Sequence, residues 1–136
     1  MRLFLDTSVL LAACGSSAGA SRGLFRLAPE RGWSLLASPY VLSEVANNLA
    51  GLPGDAAETW VALGKDLAIW PDVLTTGFPV VFPATKDRPV LLTAMAWADV
   101  LLTLDRKDFG GLIGGGFYGL AVQTPGMFLR QQREFG

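Results

Sequence analysis

Two aspartates each follow a short apolar segment directly. Asp6 comes after Arg2–Leu5, and Asp105 comes after Val100–Leu104. Apolar runs of this length are typical of buried strands, and open α/β sheets bind ligands beyond the carboxyl ends of their strands. The sequence therefore predicts two carboxylates at one functional edge of a sheet. The competing interpretation is that each aspartate only caps the helix that follows it.

Two more acids are candidates for the same edge. Glu44 belongs to a helix predicted to start at Ser38-Pro39, since serine is a good cap and proline suits the first turn. Glu44 borders the apolar stripe of that helix, although a solvated position is the alternative. Asp87 precedes Arg88-Pro89, and a residue before proline avoids the helical conformation, so we expect Arg88 to cap the next helix. Asp87 then lies just outside the helix and can face a site.

Two neighbouring aspartates are excluded from the predicted site. Asp99 precedes the strand that Asp105 follows. Five strand residues span roughly 16 Å, so Asp99 is expected at the opposite edge of the sheet. Asp108 is interpreted as a solvated residue of the short turn after Asp105.

The composition excludes several kinds of chemistry. The 136 residues contain no histidine, which excludes Ser-His-Asp and Cys-His catalysis, imidazole bases and zinc sites with histidine ligands. Cys14 is the single cysteine, so no internal disulfide can form, which fits a reducing compartment. With 11 basic and 12 acidic residues the net charge is −1, so a polyanionic partner would need a local basic patch.

The pattern of elements predicts an α/β fold of three layers, α/β/α, with a mostly parallel central sheet and a single domain over residues 1–136. Five strands are expected, at Arg2–Leu5, Trp33–Ala37, Pro79–Phe82, Val100–Leu104 and Phe117–Gln123. Six helices are expected, at Thr7–Ala13, Ser21–Ala28, Ser38–Ala50, Asp55–Trp70, Pro89–Ala98 and Met127–Arg133. Apolar side chains at helical spacing in the predicted helix Asp55–Trp70 suggest core packing or a partner interface. These side chains are Trp60, Leu63, Leu67 and Trp70.

No segment is expected to cross or enter a membrane. The longest apolar runs, such as Ser8–Ala13, are far shorter than the ~20 residues of a membrane span. Asp6 comes too early for the apolar region of a signal peptide. These features predict a cytoplasmic protein.

Four segments together resemble the PIN-domain nucleases, most closely the small VapC-type toxins. They are Leu3–Ser8, Ser43-Glu44, Asp87–Leu91 and Leu102–Lys107. The resemblance covers the order of elements and the spacing of four acids, and Gly51–Thr85 matches nothing specific. It implies a parallel sheet with helices on both sides, and cleavage of single-stranded RNA with Mg²⁺ or Mn²⁺.

Carried onto this sequence, the resemblance implies that Asp6, Glu44, Asp87 and Asp105 are the catalytic and metal-binding acids. Many members have asparagine two residues after the first acid, where this chain has Ser8, whose hydroxyl can still hold a water. The family also implies an antitoxin partner that holds the toxin inactive, often with an arginine near the acids, and a homodimer.

The same resemblance adds residues that position or bind the substrate. Thr103 matches the hydroxyl residue two positions before the fourth acid, and Ser8 is assigned a similar role. An acidic site that acts on RNA also needs cations nearby, because the substrate is itself a polyanion. The basic residues next to the third and fourth acids are candidates for phosphate contacts, the alternative being ordinary solvated charge: Lys86, Arg88, Arg106 and Lys107.

This chemistry agrees with the residue types. Hydrolysis of a phosphodiester needs a nucleophile and stabilisation of growing negative charge, and hydrated metal ions supply both in a chain without histidine. Mg²⁺ prefers carboxylate oxygens and retains several waters. Three or four convergent carboxylates can hold one or two such ions.

Two other functions remain open at the level of sequence. The first is a non-catalytic RNA- or protein-binding domain on the same fold, against which the presence of all four acids argues. The second is a phosphoacceptor domain of the receiver kind, which would need an acceptor aspartate on a central strand and a late lysine. Here the strand Trp33–Ala37 is followed by Ser38, and no lysine follows Lys107.

Overall fold

Strands and helices alternate along the chain and form a three-layer α/β/α architecture. The computed structural model describes residues 1–77, 79–82 and 85–135. Over these residues it contains six strands: β1 Arg2–Leu5, β2 Ser34–Ala37, β3 Leu67–Ile69, β4 Val100–Leu102, β5 Gly115–Phe117 and β6 Leu120–Gln123. The described residues also form seven α-helices: α1 Thr7–Gly15, α2 Ala20–Arg31, α3 Pro39–Asn48, α4 Ala56–Gly64, α5 Arg88–Trp97, α6 Arg106–Phe109 and α7 Pro125–Phe135.

The strands form one sheet in the order β3-β2-β1-β4-β6-β5. All neighbouring pairs are parallel except β5 and β6, which are antiparallel. This confirms the predicted architecture and the mostly parallel sheet. The chain moves outward from β1 through β2 to β3, and then returns to place β4 on the other side of β1. A crevice opens at such a reversal beyond the carboxyl ends of the strands, here at the β1–β4 boundary.

The centre of the sheet is buried on both faces, which explains its continuous apolar runs. Leu3, Phe4 and Leu5 of β1 are fully buried, as are Leu101 and Leu102 of β4. Leu5 lies opposite Leu102, which in turn lies opposite Gln123 of β6. Three strands therefore end level with one another, and the residues that follow them share one edge.

The predicted helix Asp55–Trp70 is wrong in its second half. Helix α4 ends at Gly64, and Leu67–Ile69 forms β3, which pairs with β2 at the edge of the sheet. The amide of Trp70 continues this pairing with a hydrogen bond to the Ala37 carbonyl. Pairing with β2 thus overrides the helical spacing of the apolar residues. The continuous helical stripe suggested as a partner interface does not exist.

The predicted strand Pro79–Phe82 is also absent, since none of these four described residues belongs to a strand. Val80 and Phe82 are buried while Val81 is exposed, so alternate side chains face the interior although no strand forms. The buried side chains of this segment pack against the core without strand pairing, and Phe82 stacks on Phe109 with ring centroids 5.4 Å apart. The carbonyls of Val80 and Phe82 accept hydrogen bonds from Arg88 and not from a strand.

The segment predicted as one strand, Phe117–Gln123, is a hairpin. Strand β5 ends at Phe117 and β6 begins at Leu120, with φ of 50° at Tyr118 and 87° at Gly119. Two positive φ values in a row are typical of the tight turns that join antiparallel strands.

Several boundaries move by a few residues. Helix α2 continues past Pro29 to Arg31 and ends at Gly32, which has a φ of 71°. Helix α5 begins at Arg88, so Asp87 and not Arg88 occupies the cap position. Among the described helices, none combines the length and apolarity that a bilayer crossing requires.

Candidate metal centre

Asp6 follows the central strand β1 and is the most constrained acid at this edge. Its side chain is 4% exposed. Oδ1 accepts a hydrogen bond from the Thr7 amide at 2.8 Å, so Asp6 does cap α1. Oδ2 accepts hydrogen bonds from the hydroxyls of Ser8 at 3.0 Å and Thr103 at 2.8 Å. Burial raises the pKa of Asp6, these hydrogen bonds partly oppose the rise, and the charge of Glu44 adds to it.

Two hydroxyls join Asp6 to the chain that follows β4. The Thr103 hydroxyl donates to Asp6 and accepts from the Asp105 amide at 3.0 Å. The Ser8 hydroxyl donates to Asp6 and accepts from the Leu104 amide at 3.0 Å. Both side chains therefore bridge the β1–β4 crevice and hold the loop with Asp105 beside Asp6. A direct contact of either hydroxyl with substrate stays a prediction.

Glu44 reaches the edge from α3. This helix begins with the side chain of Ser38 accepting from the Val41 amide, and with Pro39 in its first turn. Glu44 lies half-buried, and its Oε1 accepts a hydrogen bond from the Thr7 hydroxyl at 2.8 Å. Because Thr7 is the first residue of α1, this bond fixes the carboxylate of α3 next to the start of α1.

Asp87 is held at the start of α5 without capping it. A short 3-10 turn, Thr85–Asp87, leads into the helix, and the carboxyl makes no cap hydrogen bond. The side chain is 4% exposed, and no donor of the described residues reaches its Oδ2. Burial, a proton shared with Asp108 and the charges of Asp6 and Asp105 raise the pKa of Asp87 to about 8.

Asp105 caps α6 and also faces Asp87. Its Oδ1 accepts from the amides of Lys107 at 3.1 Å and Asp108 at 3.0 Å. One carboxylate oxygen from each of Asp87, Asp105 and Asp108 lies within 4.8 Å of the other two. Capping and membership of an acidic cluster are therefore compatible roles for this residue.

Asp108 is the acid that sequence reasoning misses. The sequence suggests a solvated position, but the side chain is 16% exposed and it contacts Asp87. The contact with Asp87 lowers the pKa of Asp108, and Lys86 and Lys107 lower it further. A signal is present in the sequence, since two residues three apart at a helix start lie on one face. Asp99 does lie at the opposite edge, where it accepts from the Arg2 amide at 2.7 Å.

The four predicted acids, Asp6, Glu44, Asp87 and Asp105, line one cavity of about 200 Å³. Ser8 and Lys86 line it as well. Tyr40 supports it from outside, because its hydroxyl donates to the Lys86 carbonyl at 2.6 Å and so ties α3 to the turn before Asp87. Burial raises the pKa of Tyr40, as do the charges of Glu44 and Asp87.

The predicted basic residues differ in what they contact. Lys86 is 73% exposed and lies 3.8 Å from Asp108. Arg106 and Lys107 are exposed on the single turn of α6. Arg88 instead directs its guanidinium to the carbonyls of Val80 and Phe82, so its head group already has structural partners. Phosphate contacts by these residues stay predictions.

The cavity fits a hard divalent cation. Its charged ligand candidates are carboxylate oxygens, which Mg²⁺ and Mn²⁺ prefer. Asp87 Oδ2 is a buried acceptor without a donor among the described residues, and such an atom is costly unless a ligand satisfies it. Two carboxylates ~4 Å apart repel by about 4 kcal/mol at an effective dielectric of ~20, and a cation removes that repulsion.

Comparison of the sequence with family models and with curated proteins finds no match. The structure is similar to that of VapBC2 from Rickettsia felis bound to a DNA fragment from their promoter, with 14% identity, a TM-score of 0.62, and coverage of 91% of this chain and 98% of that one. DNA-bound VapBC from Salmonella typhimurium gives 16% identity, a TM-score of 0.58, and coverage of 92% and 98%.

A third similar structure is Mycobacterium tuberculosis VapC20, a Sarcin-Ricin loop cleaving toxin. It gives 18% identity, a TM-score of 0.52, and coverage of 86% of this chain and 97% of that one. At such identities the likeness concerns the fold. It confirms the VapC-type PIN-domain fold that the sequence resemblance implied.

Proposed function

We propose that this chain, which has a VapC-type PIN-domain fold, is a metal-dependent endoribonuclease that cleaves single-stranded RNA. The observation that carries the proposal is the convergence of Asp6, Glu44, Asp87 and Asp105 on one cavity in a chain without histidine. A structural role alone would leave the buried Oδ2 of Asp87 without a partner among the described residues. A divalent cation explains both features.

The carboxylates of these four residues would hold Mg²⁺ or Mn²⁺, with Asp108 close enough to Asp87 and Asp105 to contribute. A bound ion of this kind supplies a more acidic water and neutralises the oxygens of the phosphate under attack.

Hydroxyl side chains at and beside the cavity orient the carboxylates. Thr103 and Ser8 each donate to Oδ2 of Asp6 and so fix the direction in which its carboxylate points. Thr7 does the same for Glu44. Such fixed acceptors need little rearrangement when a cation binds. The proton that Asp87 holds below a pH of about 8 must leave its carboxyl before that group can act as a ligand.

The RNA would approach the cavity along its basic rim. Lys86, Arg106 and Lys107 are exposed beside the third and fourth acids and can contact phosphates on either side of the cleaved bond. Because phosphate contacts release counterions, binding should weaken steeply with salt. Arg88 would contribute by holding the chain before α5.

The partners follow from the same proposal. A toxin of this kind acts on RNA in the cytoplasm and is held inactive by an antitoxin. The anionic cavity would attract a cationic side chain of such a protein, and the related folds named above include VapBC assemblies. We also propose that two copies of this chain form a homodimer. Copurification with a small DNA-binding protein encoded next to this chain, with loss of ribonuclease activity in the complex, would test the pairing.

The direct test is RNA cleavage by the purified full chain, on structured and unstructured RNAs, with and without Mn²⁺. We expect cleavage of unstructured RNA in Mn²⁺, and a loss of at least 100-fold (on the order of 3 kcal/mol of barrier) in Asp6→Ala and Asp105→Asn. Asp55→Asn is the matched control, because Asp55 is exposed and makes no capping hydrogen bond. Equal activity in Asp6→Ala and the unmodified chain would mean that a contaminating nuclease cleaves the RNA. It would favour a non-catalytic binding domain over an enzyme.

A further inference from the structure

A groove between α2 and α7 carries a concentration of positive charge that the proposed catalytic cavity does not use. Its volume is about 520 Å³, and four arginines line it: Arg26 and Arg31 from α2, and Arg130 and Arg133 from α7. These are four of the 11 basic residues of the chain. All four side chains are exposed.

The four arginines of the groove form no ion pair within the part of the protein that the structure describes. No aspartate or glutamate is among the described residues that line it. The ion pair between Lys86 and Asp108 is the one salt bridge found among the described residues, so none of the four arginines is paired there. Arg26 donates a hydrogen bond to the Ser17 carbonyl at 3.2 Å, a neutral partner that leaves its charge unpaired.

The groove lies along α7, a helix that begins at the edge of the sheet that holds the carboxylates and leads toward the opposite edge. Gln123 lies level with Leu102, and α7 begins two residues later, so Gly126 lies at the carboxylate edge. Trp33 precedes β2 at the opposite edge and packs against Phe128 of α7, with ring centroids 4.9 Å apart. Helix α7 therefore extends between the two edges, and Arg130 and Arg133, which follow Phe128, lie toward the opposite edge.

The distribution of the arginines suits a chain of anions better than one small anion. Arg26 and Arg31 are separated by roughly 7.5 Å of helix rise, and the other pair lies across the groove. Guanidinium groups bind phosphate oxygens in a bidentate way and retain their charge. The groove is also larger than the carboxylate cavity of about 200 Å³, which has room for only a short part of an RNA strand.

We infer that the groove between α2 and α7 binds the phosphate backbone of the RNA at positions beyond the carboxylate cavity. This inference rests on the proposed ribonuclease function and extends it from the reacting phosphate to the path of the substrate. The groove would supply affinity that the acidic cavity, which repels a polyanion in the absence of metal, does not.

Binding of a fluorescent single-stranded RNA of about 20 nucleotides to the full chain in EDTA tests the groove separately from cleavage. The variants are Arg130→Gln/Arg133→Gln and Arg26→Gln/Arg31→Gln, with each single substitution beside them. Lys65→Gln is the control for the single substitutions, since it removes one exposed positive charge away from the groove. We expect each double variant to weaken binding about tenfold at ~50 mM salt and to reduce the salt slope by about 0.7 for each phosphate that the variant no longer binds. The control should bind as the unmodified chain does.

Equal binding by the groove variants and Lys65→Gln would overturn the inference. So would displacement of the RNA by poly-glutamate at equal charge concentration, because the groove would then take an acidic protein segment. The two double variants lie on different helices, so unfolding of one leaves the other as a test. A chain that binds RNA through the groove but never cleaves it in Mn²⁺ would contradict the proposed function alone.

Discussion

The carboxyl group of Asp87 is buried among other acidic side chains. Its pKa is raised to about 8, first by burial and then by Asp108, Asp6 and Asp105. At neutral pH the folded, metal-free protein therefore keeps a proton on this group that the unfolded chain, with a pKa near 3.8, has released. The sequence predicts that Asp87 belongs to the site but carries no sign of its burial, which depends on the packing of α5 against β1 and β4.

The raised pKa predicts how the stability of the metal-free protein depends on pH. The folded state binds more protons than the unfolded state between about pH 4 and pH 8, so the free energy of unfolding should fall as the pH rises through this range. The raised pKa of Asp6 acts in the same direction. Urea unfolding in EDTA measures the effect, and Asp87→Asn should flatten the pH profile while Asp55→Asn leaves it unchanged. An equally steep profile in Asp87→Asn would refute the assignment.

Thr103 offers a second prediction at the scale of one side chain. It is fully buried, and its hydroxyl joins Asp6 to the Asp105 amide. Thr103→Val keeps the shape but leaves both groups without this partner, so we expect a decrease of about 1–3 kcal/mol in stability. We expect Thr103→Val also to weaken Mn²⁺ binding, because Asp6 is then less firmly oriented. Thr103→Ser keeps the hydroxyl and should retain most of the Mn²⁺ affinity of the unmodified chain. Urea unfolding and Mn²⁺ titration give the two quantities. Equal metal affinity in both variants would mean that the hydroxyl only supports packing.

At the scale of elements, the site depends on interactions between segments that are distant in sequence. Helix α3 contributes Glu44 and also, through Tyr40, holds the turn that leads to Asp87. The sequence predicts the start of α3 accurately, because Ser38-Pro39 is a strong start signal. It gives no signal for the hydrogen bond from Tyr40 to the Lys86 carbonyl, because that bond joins residues 46 positions apart.

Tyr40→Phe tests this link between α3 and the turn. The ring remains and only the hydrogen bond to the Lys86 carbonyl is removed, so stability should fall by about 1 kcal/mol or less. The rate of RNA cleavage should fall by a larger factor than this small loss of stability would cause, because Asp87 is then held less firmly in the cavity. Thermal unfolding and cleavage rates provide the comparison. Cleavage that stays at the level of the unmodified chain would show that the turn holds its position without Tyr40.

The errors in predicting elements have a common origin. Strand β3 has three residues and follows α4 without a break in apolar spacing, so only its pairing with β2 reveals it. The β5–β6 hairpin turns at Tyr118-Gly119, and tyrosine is an unusual residue for a positive φ, which hides the turn in the sequence. In both cases tertiary pairing decides the structure. The elements with strong local signals, such as β1 and α5, are predicted to within a few residues.

At the scale of the whole molecule, the order of strands brings the acids together. Asp6 and Asp105 follow β1 and β4, which are neighbours where the sheet order reverses. The sequence predicts that parallel strands deliver acids to one edge, because this follows from the alternation of strands and helices. It does not give the order of the strands, and therefore does not show that β1 and β4, which Asp6 and Asp105 follow, are neighbours in the sheet.

Divalent cations should stabilise the whole fold. The cavity gathers acids whose mutual repulsion is present only in the folded state, and a ligand that binds only that state raises the melting temperature. We expect millimolar Mn²⁺ or Mg²⁺ to raise it by several degrees, and the rise to be larger at about pH 8 than at about pH 5.5, because protons compete less for Asp87. Differential scanning calorimetry in matched EDTA and Mn²⁺ buffers measures it. NaCl at equal ionic strength controls for salt, and an unchanged melting curve would argue against a cation site.

Titration of Mn²⁺ followed by electron paramagnetic resonance tests the central claim most directly, because it reports binding at the cavity without RNA. The full chain and Asp55→Asn should bind Mn²⁺ equally at about pH 8, where a large fraction of Asp87 has released its proton. Asp6→Asn, Asp87→Asn and Asp105→Asn should each weaken binding by at least tenfold, about 1.4 kcal/mol. Equal binding in all five proteins would contradict a metal centre built from these acids.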